Sequence, residues 1–350
     1  MPNKRKCAMN TPSMSNHSIS HHFTGRRALL RQSAAAALVG CGWGLPGLAT
    51  AAIEQMSLLC SGPAGSIPDI VARRVAEQLS GRQVLRALVD NRPGAAGQIA
   101  VNALKSAPVD GSVLLLAQGA IATVYPYLYT RLAYDAAQDL KPVSLAGEMT
   151  LGLAVGPAVP AAVLTVPDLM AWCRSHPRLA NIGSPGTGTL PHLLEALLFR
   201  TAAVDWQHVV YAGGPPALVD LMGGQIAALV LPEGLLRQQR LAGRLRVLAT
   251  SGAQRSAYLP DVPTLVEQGY GALIVREWFG FFIGGRAAPA VVDQASQALQ
   301  AALAQPALVA AFAESGMDAA SSTPTAMAAR ISAEQRYWEP VIRNANIRAD

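Results

Sequence analysis

The chain has 350 residues, 28 Lys and Arg against 22 Asp and Glu, a formal net charge of +6 and only 5% aromatic residues. Six of the 28 basic residues (Lys4, Arg5, Lys6, Arg26, Arg27, Arg31) lie in the first 51, which hold no acidic residue, so the remainder has 22 basic against 22 acidic residues. That balance removes any argument for nucleic acid as a partner, and about 300 residues outside this basic front suit two lobes better than one.

Residues 1–51 read as an export signal. A basic front leads into an apolar, Ala-rich run from Ala34 to Leu48, and Ala49-Thr50-Ala51 supplies the small-x-small pattern of a cleavage site. The apolar run is too short, and too broken by Gly42, Gly44, Pro46 and Gly47, for a permanent membrane span. Gly25-Arg26-Arg27 resembles a twin-arginine signal, alongside the general secretory route. Cleavage after Ala51 is the expected exit, with a lipobox-like Leu38-Val39-Gly40-Cys41 as the alternative, which would leave a lipid on Cys41. Cys7 and Cys41 fall in this segment. Cys60 and Cys173 remain and are expected as buried thiols, not as a bridge.

Downstream, apolar runs alternate with helical ones. A strand is expected over 56–60, then a helix over 69–80 with Val71, Val75 and Leu79 on one face. A strand over 84–89, a helix over 97–106 and an apolar strand over 113–117 follow, an order that predicts a parallel sheet. The pattern continues with a strand over 151–155, a helix over 166–176, a strand over 181–184 and a helix over 190–200. Strands are then expected over 209–211, 226–231 and 245–250, with a helix over 216–223 between the first two. A crossing strand is expected over 278–284, and helices over 288–305, 306–315 and 325–344. The organisation expected is a first lobe from 52–150, a second from 151–270, and a return to the first from 271–350. Ligands of such sheets bind at the carboxyl ends of strands, where helix N-termini point.

Two segments repeat one pattern. Ser66-Ile67-Pro68-Asp69 and Thr189-Leu190-Pro191-His192 each place a hydroxyl residue, an apolar residue, a proline and a polar residue after a Gly-rich turn. The hydroxyls are expected to cap the helices, and a proline in the first turn costs little. Two helix N-termini, one per lobe, would attract an anion. Ser66-x-x-Asp69 also forms a capping-box pattern, in which Asp69 would accept from the Ser66 N–H; contact with a ligand amine or water is its other role. The histidines offer no metal spacing, and the residues around Ser184 lack the glycine of a nucleophile elbow. His176, His192 and His208 are expected on the surface or packed.

The turn Gly62-Pro63-Ala64-Gly65-Ser66-Ile67-Pro68-Asp69, followed by Asn91-Arg92-Pro93-Gly94-Ala95-Ala96-Gly97-Gln98, resembles the start of the Bug-type extracytoplasmic solute-binding proteins of tripartite tricarboxylate transporters. Further matches include Ala107-Pro108-Val109-Asp110-Gly111, Asp220-Leu221-Met222-Gly223-Gly224-Gln225, Leu259-Pro260-Asp261-Val262-Pro263-Thr264 and Trp278-Phe279-Gly280. The resemblance implies a type II periplasmic binding fold of the α/β class: two lobes, each a mainly parallel sheet flanked by helices, hinged by two chain crossings. It implies a monomeric periplasmic receptor that takes a small carboxylate to membrane permease subunits, without cofactor or metal. By position, the ligand contacts it implies are Gly65, Ser66, Ile67 and Asp69, then Ser184, Thr187, Gly188 and Thr189, with Gln118 and Gly119 on the same rim. A module signalling to a membrane sensor and an exported enzyme are the alternatives.

The chain departs from the family where Gly65-Ser66-Ile67-Pro68-Asp69 stands for Gly-Gly-Ser-Thr-Asp, losing a hydroxyl and, at Pro68, an N–H donor, where Tyr211-Ala212-Gly213-Gly214 stands for Tyr-Lys-Gly-Ser, and where Leu231 replaces an Asp, with Glu233 nearby. Each lost donor would cost a polar ligand roughly 0.5–1.5 kcal/mol. The expected ligand is therefore less polar, such as an aromatic or branched monocarboxylate, or the site is weakened.

Overall fold

The computed structural model describes residues 54–82 and 84–349. The export-signal readings, with Cys41 and the cleavage after Ala51, lie outside them. In chain order the elements are β1 (Gln55–Cys60), α1 (Ile67–Leu79), β2 (Arg86–Asn91), α2 (Gln98–Lys105), β3 (Val113–Gln118), α3 (Ala120–Thr123), α4 (Tyr125–Leu128), α5 (Ala136–Asp139) and β4 (Leu140–Val155). Then come α6 (Val166–Ser175), β5 (Asn181–Ser184), α7 (Leu190–Thr201), β6 (Gln207–Val210), α8 (Gly214–Met222), β7 (Ala228–Pro232), α9 (Glu233–Leu241) and β8 (Arg246–Thr250). The chain ends with β9 (Arg276–Gly284), α10 (Pro289–Leu303), α11 (Pro306–Glu314), β10 (Asp318–Ala319) and α12 (Pro324–Ala345).

One sheet runs β2-β1-β3-β9-β4-β7-β5-β6, with β8 and β10 also on β4. Its two halves meet inside β4. Residues Leu140 to Thr150 of that strand pair with β9, whereas Leu151 to Val155 pair with β7 and β8. The βαβ parts are parallel, β1 with β2 and β3, and β5 with β6 and β7. The strands that join the lobes, β4 and β9, pair antiparallel. The sheet is therefore mixed, and the parallel order expected from the sequence holds within each βαβ run. Register shifts at Pro142 and Leu145 bend β4, and a proline fits a strand at such a bulge because it has no N–H to place in the ladder.

The first half-sheet is covered on both faces. Val71, Val75 and Leu79 of α1 pack with Phe281, Leu299 and Phe312 on one side. Tyr125, Leu104 and Trp338 pack with Leu115 and Trp278 on the other. The three α1 residues recur every four positions, which is why this helix forms with one buried face.

The second crossing is Ser251 to Val275, and Ser251 ties it to the first. Its N–H donates to the Leu151 carbonyl at 2.9 Å, and its hydroxyl oxygen accepts from the Leu151 N–H at 2.9 Å. Its own carbonyl accepts from the Val275 N–H at 2.9 Å, and its hydroxyl donates to the Val275 carbonyl. One buried serine thus ties the two crossings together. Cys60 and Cys173 are buried free thiols, as expected. Among the described residues, no helix is long and apolar enough to cross a membrane.

Candidate functional site

The two repeated turns share one hydrogen-bond pattern. In the first, the N–H and the hydroxyl of Ser66 both donate to the Pro63 carbonyl, at 3.1 and 2.6 Å. In the second, the N–H and the hydroxyl of Thr189 both donate to the Gly186 carbonyl, at 3.3 and 2.7 Å. The Gly65 N–H donates to Asp69 Oδ2 at 2.9 Å, and the Gly188 N–H donates to His192 Nδ1 at 3.1 Å. Both glycines have positive φ, +78° and +84°, a region glycine enters without steric cost.

Two sequence expectations are corrected here. Ser66 and Thr189 sit at the N-cap positions but cap neither helix with their side chains, because each hydroxyl turns back to the carbonyl three residues earlier. The capping box does not form either, since Asp69 takes the Gly65 N–H and not that of Ser66. Asp69 also accepts from Asn91 at 2.9 Å and pairs with Arg73 at 2.9 Å. Burial alone would raise its carboxyl, but bonds from Arg73, Gly65 and Asn91 hold it below its ordinary value. It therefore locks the turn. Asn91 adds a bond to the Gly62 carbonyl at 2.9 Å, which explains the asparagine of the Asn-Arg-Pro-Gly segment.

With no side-chain cap, the first-turn N–H groups of α1 and α7 keep their donor capacity. Both helices begin on a single cavity of about 340 Å³. Ser66, Ile67, Gln118, Thr187 and Thr189 line it. The other sequence-chosen residues stand behind its wall. Gly65 and Asp69 hold the first turn, and Gly188 the second. Gly119 donates its N–H to the Trp278 carbonyl at 2.9 Å, and a Cβ there would lie 2.0 Å from the Trp278 ring. Ser184 is fully buried and bonds His208 Nε2 at 2.7 Å.

That Ser184–His208 contact is a hydroxyl–imidazole pair where the sequence suggested none. It arises because parallel pairing sets Ile182 opposite His208 on neighbouring strands. The His208 ring stacks on His192 at 4.0 Å. Burial pushes His192 down to about 3, helped by His208, and pushes His208 down to about 4. His192 Nδ1 accepts an amide N–H, so its proton sits on Nε2.

The sequence reading did not choose several residues that line the cavity: Gly94 to Gly97, Tyr129, Tyr211, Glu277 and Phe279. Gly94, Ala95, Ala96 and Gly97 all have positive φ, at +119°, +46°, +52° and +94°. Left-handed alanines cost roughly 1–2 kcal/mol each, so the turn must be held from outside. Ala96 O accepts from Gln118 Nε2 at 2.6 Å and from the Tyr125 hydroxyl at 2.8 Å, and Ser61 donates to Gln118 Oε1 at 2.9 Å. The motif that stood out in the sequence thus builds cavity wall.

The lobes touch across this cavity. The Tyr129 hydroxyl donates to the Thr187 carbonyl at 2.7 Å, joining one lobe to the other. Tyr129→Phe removes that bond together with the hydroxyl's contact with Gln98. Ligand affinity is expected to fall two- to tenfold, matching roughly 0.5–1.5 kcal/mol for one hydrogen bond. Calorimetric titration alongside an unchanged melting temperature checks this.

Residues 71–347 match the tripartite tricarboxylate transporter family receptor, and the chain belongs to that family. It is 30% identical over 282 residues to the protein BugT of Bordetella pertussis, covering 80% of this chain and 86% of BugT. A solved R. palustris protein with adipate is 27% identical, with a TM-score of 0.79 over 84% of this chain and 98% of its own. The periplasmic binding protein BugD, at 24% identity and a TM-score of 0.79 over 85% of this chain and 99% of its own, shares the fold. The structure thus has the two-lobed periplasmic binding fold, in a family of solute-binding receptors.

Proposed function

We propose that this protein is a monomeric periplasmic receptor that captures a small carboxylate between its lobes and delivers it to the permease of a tripartite tricarboxylate transporter. One observation carries the reading: two uncapped helix N-termini, built on the same turn pattern, open on one cavity. A carboxylate there would accept from the first-turn N–H groups of both helices, each end contributing roughly 0.3–2 kcal/mol. Ser66, Ile67, Thr187, Thr189 and Gln118 are the proposed wall contacts. Gly65, Asp69, Ser184, Gly188 and Gly119 shape the turns behind them.

No lysine, arginine or histidine is among the residues lining the cavity, and Ile67, Pro68, Leu231, Leu235 and Phe279 make much of its wall apolar. A ligand with one anchored carboxylate and a mainly apolar remainder suits such a wall better than a polyanion. The adipate-bound relative supports a carboxylic acid of this size. The role is binding without catalysis, and Ser184, which bonds His208, is buried and is not among the cavity-lining residues.

Isothermal titration against adipate, branched and aromatic monocarboxylates, and citrate tests the reading. Saturable one-to-one binding of a mono- or dicarboxylate is expected. Tight binding of citrate alone, or of no acid, would reject it.

A further inference from the structure

The cavity's polar side chains are nearly all occupied by the protein itself. Ser66, Thr189, Ser61, Gln118 and Tyr129 make the bonds given above, and the Tyr211 hydroxyl donates to Asp220 Oδ2 at 2.8 Å. The exceptions are the half-buried Thr187 and the buried Glu277. Glu277 lies on β9, two residues before Phe279, so alternation along the strand turns both towards the cavity that they line. It is 3% exposed, and its Oε1 has no hydrogen-bond partner. A buried carboxyl oxygen without a partner is costly, and Glu277 differs from the other such carboxyls, Glu195 and Glu233, in lining the cavity, where an entering group can reach it.

The groups around Glu277 leave it without a cation. Glu334 and Arg330 on α12 pair with each other at 2.8 Å, Arg330 also reaches Glu148 on β4, and Arg276 pairs with Glu148 and Asp318. Tyr125 on α4 donates to the Ala96 carbonyl. Burial, and then Glu334, push the Glu277 carboxyl up to about 8. An ionised Glu277 beside a bound carboxylate would put two like charges in a site with no cationic side chain on its wall.

We propose that Glu277, carrying its proton, donates a hydrogen bond to a second oxygen-bearing group of the ligand, and so selects acids with a distal oxygen function over those with a bare alkyl or an amino end. This rests on the carboxylate reading above. One end of the ligand lies at the paired turns, and the other meets the Glu277 acid. Binding then requires the protonated side chain, so affinity holds below the pKa of Glu277 and falls above it.

Three six-carbon probes differ only at the far end: adipate, hexanoate and 6-aminohexanoate. Titrated from pH 6 to 9, the full-length mature protein is expected to prefer adipate to hexanoate at least fivefold at pH 7. Its adipate affinity should drop about tenfold between pH 7 and 9, because a carboxyl titrating near 8 is mostly ionised at 9. Glu277→Gln keeps an N–H donor but cannot ionise, so its adipate profile should be flat with pH. Glu277→Leu should erase the preference for adipate over hexanoate.

Tighter binding of 6-aminohexanoate, rising with pH and lost in E277Q, would overturn the proposal by making Glu277 an anionic partner for an ammonium group. Equal affinity for adipate and hexanoate, with no pH dependence, would also overturn it while leaving the carboxylate reading intact. Failure to bind any of the three would remove that reading, and this inference with it.

Discussion

Gly213→Ala is expected to lower ligand affinity about tenfold or more. Gly213 follows β6 in one lobe and lines the cavity opposite Pro63, which follows β1 in the other. A Cβ at Gly213 would lie 2.6 Å from Pro63 Cγ and 2.7 Å from its Cδ. Overpacking of this kind costs roughly 1–3 kcal/mol, and each 1.4 kcal/mol is about tenfold in affinity. The overlap exists only when the lobes meet, so it acts on closure. A separate cost comes from the backbone, since Gly213 has φ +112°, where an L-residue is strained by roughly 1–3 kcal/mol in open and closed states alike. The two effects separate in one experiment. Pro63→Ala removes the Cγ and Cδ that the new methyl would meet, so the double variant should regain most of the lost affinity while keeping the lower melting temperature. Unchanged affinity in Gly213→Ala would show that ligand binding does not need this approach of the lobes.

His192→Gln is expected to reduce the acid sensitivity of folding, with His208, pushed down to about 4 by burial, keeping its own share. His192 is neutral and 7% exposed, with its pKa pushed down to about 3 from an ordinary 6.5 by burial first and by His208 second. A histidine depressed in the folded state favours folding fully above its unfolded pKa, and that contribution is lost as pH falls from 6.5 towards 3. At pH 5 the loss relative to pH 7 is about 2 kcal/mol, at 1.36 kcal/mol per pH unit. Glu195, Glu233 and Glu277 act in the opposite direction. Burial raises all three carboxyls, so their contribution is fully present below the unfolded pKa and lost as pH rises. The readout is therefore a difference: between pH 7 and 5, wild type should lose about 2 kcal/mol more than His192→Gln in urea unfolding. Protonation at Nδ1 would also set an N–H against the Gly188 N–H, breaking the bond that holds the second turn. Parallel pH curves for the two proteins would contradict this role.

The paired turns were legible because their signal is local. A hydroxyl residue, a proline two positions on and a preceding glycine fix the backbone within eight residues, and both α1 and α7 start where that chemistry places them. The hydroxyl contacts were misread because two local acceptor–donor choices compete, and the tight glycine turn brings the carbonyl three residues back within 2.6–2.7 Å. The helices α3, α4, α5 and α9 were not expected, and neither was what strand order sets. The 16-residue length of β4 depends on β9 returning from more than a hundred residues later to pair with it. Glu277 reads as a charged residue at the head of the apolar run from Trp278 to Gly284, and only the position of β9 between β3 and β4 turns it into a buried acid on a cavity wall. Tyr129 lies in a stretch with no clear periodicity, and its partner Thr187 is 58 residues away.

The departures from the family pattern have a structural counterpart. Leu231 and the segment Tyr211 to Gly214 line the cavity, so the apolar replacements face the ligand space. Glu233, the acid nearby in sequence, starts α9 and is not among the cavity-lining residues. Glu277 is the acid that does reach it.

The most direct measurement is a crystal structure of the mature protein grown with saturating adipate. One carboxylate should lie in the cavity with its oxygens within hydrogen-bond distance of first-turn backbone N–H groups from both α1 and α7. A carboxylate held by one lobe alone, or seated outside the space that Ser66 and Thr189 share, would contradict the account.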